Sequence, residues 1–170
     1  LLRVVIRHGK AVVENPASMA DMSEIMWAGS LSHNGLTGLG GHKDFSVHQF
    51  GHCLSEKFDI IHGESLSAMW ASYARYVAPS NYARFAQYAR KVWGVTEAND
   101  ERAALAGIAA TEDYFRSLGM PVCIAQLPCG AQDEAGLEDL ALRCSRDRSR
   151  TIGTFRVLNY DDMLKIYQQA

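Results

Sequence analysis

Apolar residues recur at helical spacing along nearly the whole chain, and no stretch alternates apolar with polar positions in the way that pairing strands require. Ser18-x-x-Asp21 reads as a helix start with an acidic first turn. Met22, Ile25, Met26 and Gly29 carry that helix on to about His33 and Asn34. Upstream, Leu1 to His8 reads as the tail of a helix ended by Gly9, where a left-handed cap costs little. Glu64 to Tyr76, rich in Ala, Leu and Met, forms a helix ending before Pro79. Tyr82, Phe85, Ala86, Ala89, Val92 and Trp93 mark an amphipathic helix stopped by Gly94. Asn99, with Asp100 and Glu101 behind it, caps a helix whose stripe is Leu105, Ile108, Glu112 and Phe115, closed by Gly119 and Pro121. The aromatic residues on these stripes are expected in the core. Pro121 to Gln132 is irregular, Leu137, Leu140, Ala141 and Cys144 predict one more short helix, and Asn159 with Asp162 opens the last. The pattern predicts an all-α fold of about seven helices, as a bundle or in orthogonal packing.

The remaining stretch, His42 to Gly63, carries the candidate chemistry. His48 and His52 stand four residues apart, so on a helix both imidazoles project from one face. Phe58-Asp59-Ile60-Ile61 sits poorly in a continuous helix and predicts a turn near Asp59. A second helix opening at His62-Gly63 and folding back would bring all three rings into one crevice between helices. Neutral imidazole is the commonest metal ligand, and an i, i+4 pair chelates across one turn. His8, His33 and His42, taken singly, read as surface or satisfied core residues. The nearest short motif, HExxH, needs a glutamate as general base after its first histidine. Gln49 stands there, and an amide cannot accept that proton, which argues against a protease. Gly51, inside the helix, costs about 1 kcal/mol relative to Ala and marks a close approach by another helix or a ligand. Gly35, Gly38, Gly40 and Gly41 form a loop just before the histidines. They do not make GxGxxG, and no strand precedes them, so a dinucleotide fingerprint is set aside.

Composition narrows the picture further. The 170 residues are enough for one domain with an ample core, and a net charge of −2 spread over both signs offers no footing for nucleic acid or an anionic membrane. Arg143 to Arg150 is the most basic run, and it reads as a solvated helix end. Cys53, Cys123, Cys129 and Cys144 form no CxxC pair and are expected as reduced thiols of a cytoplasmic protein. No apolar run approaches the length of a spanning helix. The chain starts without methionine inside an apolar segment and is expected to be part of a longer protein.

The run GLTGLGGHKDFSVHQFGHCLSEKFDIIHGESLSA resembles the iron-containing alcohol dehydrogenases, especially the butanol dehydrogenase-like, NADPH-dependent aldehyde reductase branch. Their signature has a histidine, a second four residues on, LS or LT nearby, then HG, matched by His48, His52, Leu54-Ser55 and His62-Gly63. Similarity continues through Tyr88 to Trp93, Leu118 to Pro121 and the closing helix, and so covers essentially the whole chain.

The resemblance implies a Rossmann-like N-terminal domain joined to an all-helical C-terminal domain of the dehydroquinate synthase-like fold, with nucleotide and metal in the cleft between them. Residues 1–170 would be the helical, metal-binding domain alone. His48 and His62 are then implied as metal ligands. His52 would lie beside the nicotinamide and substrate, as a proton relay. Two further ligands, an aspartate and a histidine separated by three residues, and the phosphate-binding turn would precede this chain. The implied activity is interconversion of alcohols and aldehydes with NAD(P)H and a divalent metal, Fe2+ or Zn2+. Two alternatives stand beside it: a non-catalytic helical module as isolated, and a related enzyme of the glycerol dehydrogenase or dehydroquinate synthase kind. Asp44, Asp59 and Glu64 are the nearby carboxylates for a makeshift site, and a homodimer through an exposed apolar face is left open.

Overall fold

The computed structural model describes residues 1–170 and is all-helical, with an isolated bridge between Ile152 and Leu158 as its only β pairing. Eight α-helices follow in order: α1 (Leu2–Glu14), α2 (Met19–His33), α3 (Ser46–Phe58), α4 (His62–Val77), α5 (Tyr82–Tyr88), α6 (Asp100–Ser117), α7 (Glu134–Ser145) and α8 (Tyr160–Gln168). That is one more than the apolar pattern predicts. Most starts are set by side chains that accept orphan backbone N–H groups: Ser18 for α2 and Asn99 for α6, as expected, and also Asn81 for α5 and Asp133 for α7. Asn159 and Asp162 form a reciprocal capping box on α8.

The main core lies between α3, α4, α7 and α8, where Phe50, Leu54, Met69, Leu140, Met163 and Ile166 are fully buried. Tyr167 meets Phe50 edge to face at 5.1 Å and donates its hydroxyl to the Phe50 carbonyl, bracing α3 from behind. A smaller cluster, Ala71, Ala74, Ala78 and Ile108, joins α4 to α6. Glu112, nearly buried on α6, is held by Arg75 and Arg116.

Several local expectations are corrected. Gly9 lies inside α1 and does not end it; a Cβ there would sit 2.2 Å from the Tyr114 hydroxyl, so close approach and not a turn explains the residue. On α6, Leu105 is 44% exposed. The buried face there joins the predicted Ile108 and Glu112 to small residues, Ala103, Ala104 and Gly107, of which Gly107 lets the backbone come close to Ala89. The predicted helix through Trp93 is α5 followed by a π-turn over Ala89–Trp93, ending at Gly94 with φ 72°. Trp93 and Phe115, expected in the core, are half-buried and line a cleft together with Trp70 and Tyr88. On α2, Met26 is 66% exposed. No helix is long and apolar enough to cross a membrane.

Candidate metal centre

The geometry of the centre begins with the α3–α4 turn. Asp59 adopts the left-handed conformation (φ 54°), Ile60 buries itself, and α4 starts at His62, as the β-branched run predicts. The two helices then pack closely because Gly51 has no side chain: a Cβ there would meet Ser65 Oγ at 2.8 Å and Leu66 Cδ2 at 3.0 Å. What approaches Gly51 is therefore α4. Ser65 Oγ donates to the His62 carbonyl and accepts from Ser55, tying the start of α4 to α3.

This hairpin brings together the three histidines singled out by spacing. One nitrogen from each of His48, His52 and His62 lies within 4.8 Å of the others. His48 Nδ1 is 3.1 Å from His62 Nε2, and the His52 ring stacks on His62 with centroids 4.6 Å apart. His52 is exposed, while His48 and His62 are half-buried. Burial, then the neighbouring His62, His52 and His33, lowers the pKa of His48. Burial, then His52, lowers that of His62. Both shifts favour the neutral ring, the form that offers a lone pair.

The donor set fits a divalent cation. Two nitrogens each about 2.1 Å from one ion lie roughly 3.0 to 3.4 Å apart at neighbouring coordination corners, and the His48–His62 contact falls in that range. Without an ion the same spacing is an N–H···N hydrogen bond between neutral rings. His62 Nδ1 is buried and has no partner in this chain, although ligating histidines usually donate their second nitrogen. No carboxylate belongs to the cluster. Asp44 is committed elsewhere: it accepts from the backbone N–H groups of Ser46, Thr154 and Phe155, each at 2.8 Å.

Other histidines stay outside the centre. His8 pairs with Asp21 at 2.7 Å, and His33 bonds locally to Ser32 and to the Gly29 carbonyl. All four cysteines are free. Phe45, whose ring centroid is 5.4 Å from that of His48, and the 153–155 loop were not singled out by spacing. Phe45 was open to discovery as the aromatic three residues before His48; the loop had no such signal. Two adjoining clefts of about 710 and 670 Å³ separate α1 from α4 and α6, with Trp70, Tyr73 and Tyr114 in both walls. His48 and Gly63 line the second.

Over its whole length the chain is 32% identical to NADH-dependent butanol dehydrogenase A of Clostridium acetobutylicum and spans 43% of that protein. It is 26% identical to the NADPH-dependent aldehyde reductase YqhD of Escherichia coli, again spanning 43% of it. The solved substrate- and cofactor-free form of YqhD superposes on 98% of this chain and 43% of its own, with a TM-score of 0.90. The chain thus spans less than half the length of the curated relatives it matches. The helical architecture is that of the C-terminal part of these enzymes. The model of the Fe-containing alcohol dehydrogenase family, C-terminal, matches residues 1–170, and the chain belongs to that family.

Proposed function

We propose that this chain is the helical, metal-holding part of an NAD(P)-dependent oxidoreductase that interconverts alcohols and aldehydes. The observation that carries the reading is the convergence of His48, His52 and His62 within 4.8 Å. Its weight comes from the match of the whole chain to the family.

His48 and His62 are the residues that would hold a divalent cation, iron or zinc, through Nδ1 and Nε2. When bound, such a cation polarises a carbonyl oxygen as a Lewis acid. A bound nicotinamide would be the source or acceptor of the hydride. His52 is assigned the proton: its exposed ring can exchange with water and pass a proton to or from the substrate oxygen. Phe45 sets its ring beside His48 at the open rim of the centre, with centroids 5.4 Å apart. The nucleotide-binding domain and two more ligands, an aspartate and a histidine, are assigned to polypeptide preceding Leu1. The four free cysteines accord with a cytoplasmic setting.

A second reading, a non-catalytic module when isolated, draws on the absence of any carboxylate from the cluster. The two are joined in one test. The purified 170-residue chain, alone and together with upstream polypeptide, is assayed for butanol-dependent reduction of NAD+ and NADP+ with added iron or zinc. The chain alone is expected to bind metal weakly and to show no turnover, and the upstream part to restore both. In the restored enzyme, His48→Ala loses metal, whereas His52→Ala keeps metal and loses about 10²-fold or more in rate. Steady metal-dependent turnover by the chain alone refutes the two-part account. Metal loss in His52→Ala equal to that in His48→Ala reverses the assigned roles.

A further inference from the structure

His48 stands in the first turn of α3, and that turn is not capped by the residue at its boundary: Phe45 makes no side-chain cap. First turns fray unless their free N–H groups find acceptors. Asp44 supplies one, taking the Ser46 N–H on Oδ1 at 2.8 Å. Its other oxygen accepts from Thr154 and Phe155, both at 2.8 Å, and Thr154 Oγ1 donates back to the Lys43 carbonyl. One carboxylate therefore bridges the start of the histidine helix to a loop far along the chain.

That loop is itself firmly held. Ile152 and Leu158 exchange both backbone hydrogen bonds. Gly153 sits at φ 94°, where a Cβ would meet the Arg156 carbonyl oxygen at 2.2 Å and Ser46 Oγ at 3.0 Å, so backbone fills the space a side chain would need. Phe155 packs edge-on to Phe85 at 5.4 Å, and Arg156 pairs with Asp162 on α8 at 3.2 Å. The first turn of α3 is thus fastened to α8 and α5 through Asp44.

We infer that Asp44 is a positioning residue for the histidine centre: by bridging Ser46 to Thr154 and Phe155 it fixes the turn that aims His48 at His62. The alternative is a general contribution to folding with no particular effect on the rings. Only the metal-binding part of the test below rests on the function proposed above.

The test uses the 170-residue chain with Asp44→Ala and the milder Asp44→Asn, which keeps one acceptor oxygen but sets an NH2 against backbone donors. Asn99→Ala, which removes the cap of α6, serves as a destabilised control away from the centre and from the 152–158 loop. The first readout needs no metal: side-chain NMR of the histidine rings. Both Asp44 variants are expected to move the His48 and His62 ring resonances and leave His8 in place, while the control lowers the melting temperature without moving them. The second readout is Co2+ titration followed by visible absorption. Asp44→Ala is expected to weaken binding about tenfold and to change the absorption bands, as loss of support behind a ligand does. Unmoved His48 and His62 resonances in both Asp44 variants overturn the inference, as does an equal shift in the control. A wild-type chain that binds no Co2+ counts against the metal reading alone, and the ring resonances still decide the role of Asp44.

Discussion

The molecule contains two helical hairpins of similar length, α1–α2 with 13 and 15 residues and α3–α4 with 13 and 16, that stand in opposite energetic positions. The second is built into the core: Phe50, Leu54, Met69 and Val77 are fully buried, each worth about 1.5 to 3 kcal/mol if its whole side chain leaves water. The first buries no residue of α1 and only Ala28 of α2, while Met19 and Trp27 are 79% and 63% exposed. Helices of this length are marginal by themselves and persist through packing. The hairpin touches the rest of the fold at few places, one being the Tyr114 hydroxyl that donates to the Val5 carbonyl at 2.8 Å. Apolar periodicity therefore identifies which face of a helix seeks cover, but not whether this chain supplies the cover. The histidines sit on the hairpin that is covered.

The largest effects that would break this contrast lie in the core. Phe50→Ala should cost about 3 to 5 kcal/mol, whereas Val5→Ala, on half-buried α1, should cost under about 1 kcal/mol, both read by urea unfolding. Equal losses would mean that α1 belongs to the same cooperative unit as α3. Next come the two glycines at close approaches. Gly51→Ala must displace Ser65 and Leu66 inside the packed hairpin and should cost about 1 to 3 kcal/mol while disturbing the His48–His62 contact. Gly9→Ala collides only with the far end of Tyr114, which can swing aside, so global stability should barely change. Its effect should instead be loss of the Tyr114–Val5 bond, seen as faster amide exchange in residues 2–33 and matched by Tyr114→Phe.

The histidine centre was legible in the sequence because its geometry is local. An i, i+4 pair, a β-branched break at Ile60 and Ile61, and a glycine at position 51 each report on a neighbouring turn of backbone, and the structure places all three as that reading requires. The support behind the centre was not legible. Asp44 meets backbone N–H groups 110 and 111 residues away, and backbone donors leave no mark in a sequence. The π-turn over Ala89–Trp93 was hidden for a related reason. Its apolar stripe is continuous with α5, and the local change of pitch accompanies packing against Gly107, together with the bonds of the Trp93 indole N–H to Tyr88 and Thr111 at 3.0 Å. Leu105 faces solvent because α6 meets its neighbours along Ala104, Gly107 and Ile108, a face to which Leu105 does not belong.

The smallest expected effect concerns acid, and it sharpens the contrast between the hairpins by acting on the exposed one through a single carboxylate. Asp21 receives hydrogen bonds from the Ser18 hydroxyl and from His8, and together these hold its pKa below the ordinary aspartate value. A carboxylate depressed in the folded state binds fewer protons there than in the unfolded chain. Its contribution is therefore fully present above the unfolded pKa of about 3.9 and is lost as pH falls through the lowered folded value. The pair bridges α1 and α2, so its loss should loosen the hairpin. The change should be modest and weaker in high salt, because the site faces water. Side-chain NMR of Val5 and Ile25 between pH 5 and pH 2 should show a transition that Asp21→Asn removes. Asp44 and Asp162, also depressed, act on the body of the fold, so the resonances of Phe50 should keep their own acid response in that variant. A hairpin response that survives Asp21→Asn would show that the hairpin takes its acid sensitivity from the body, and that the two regions are more tightly coupled than their burial implies.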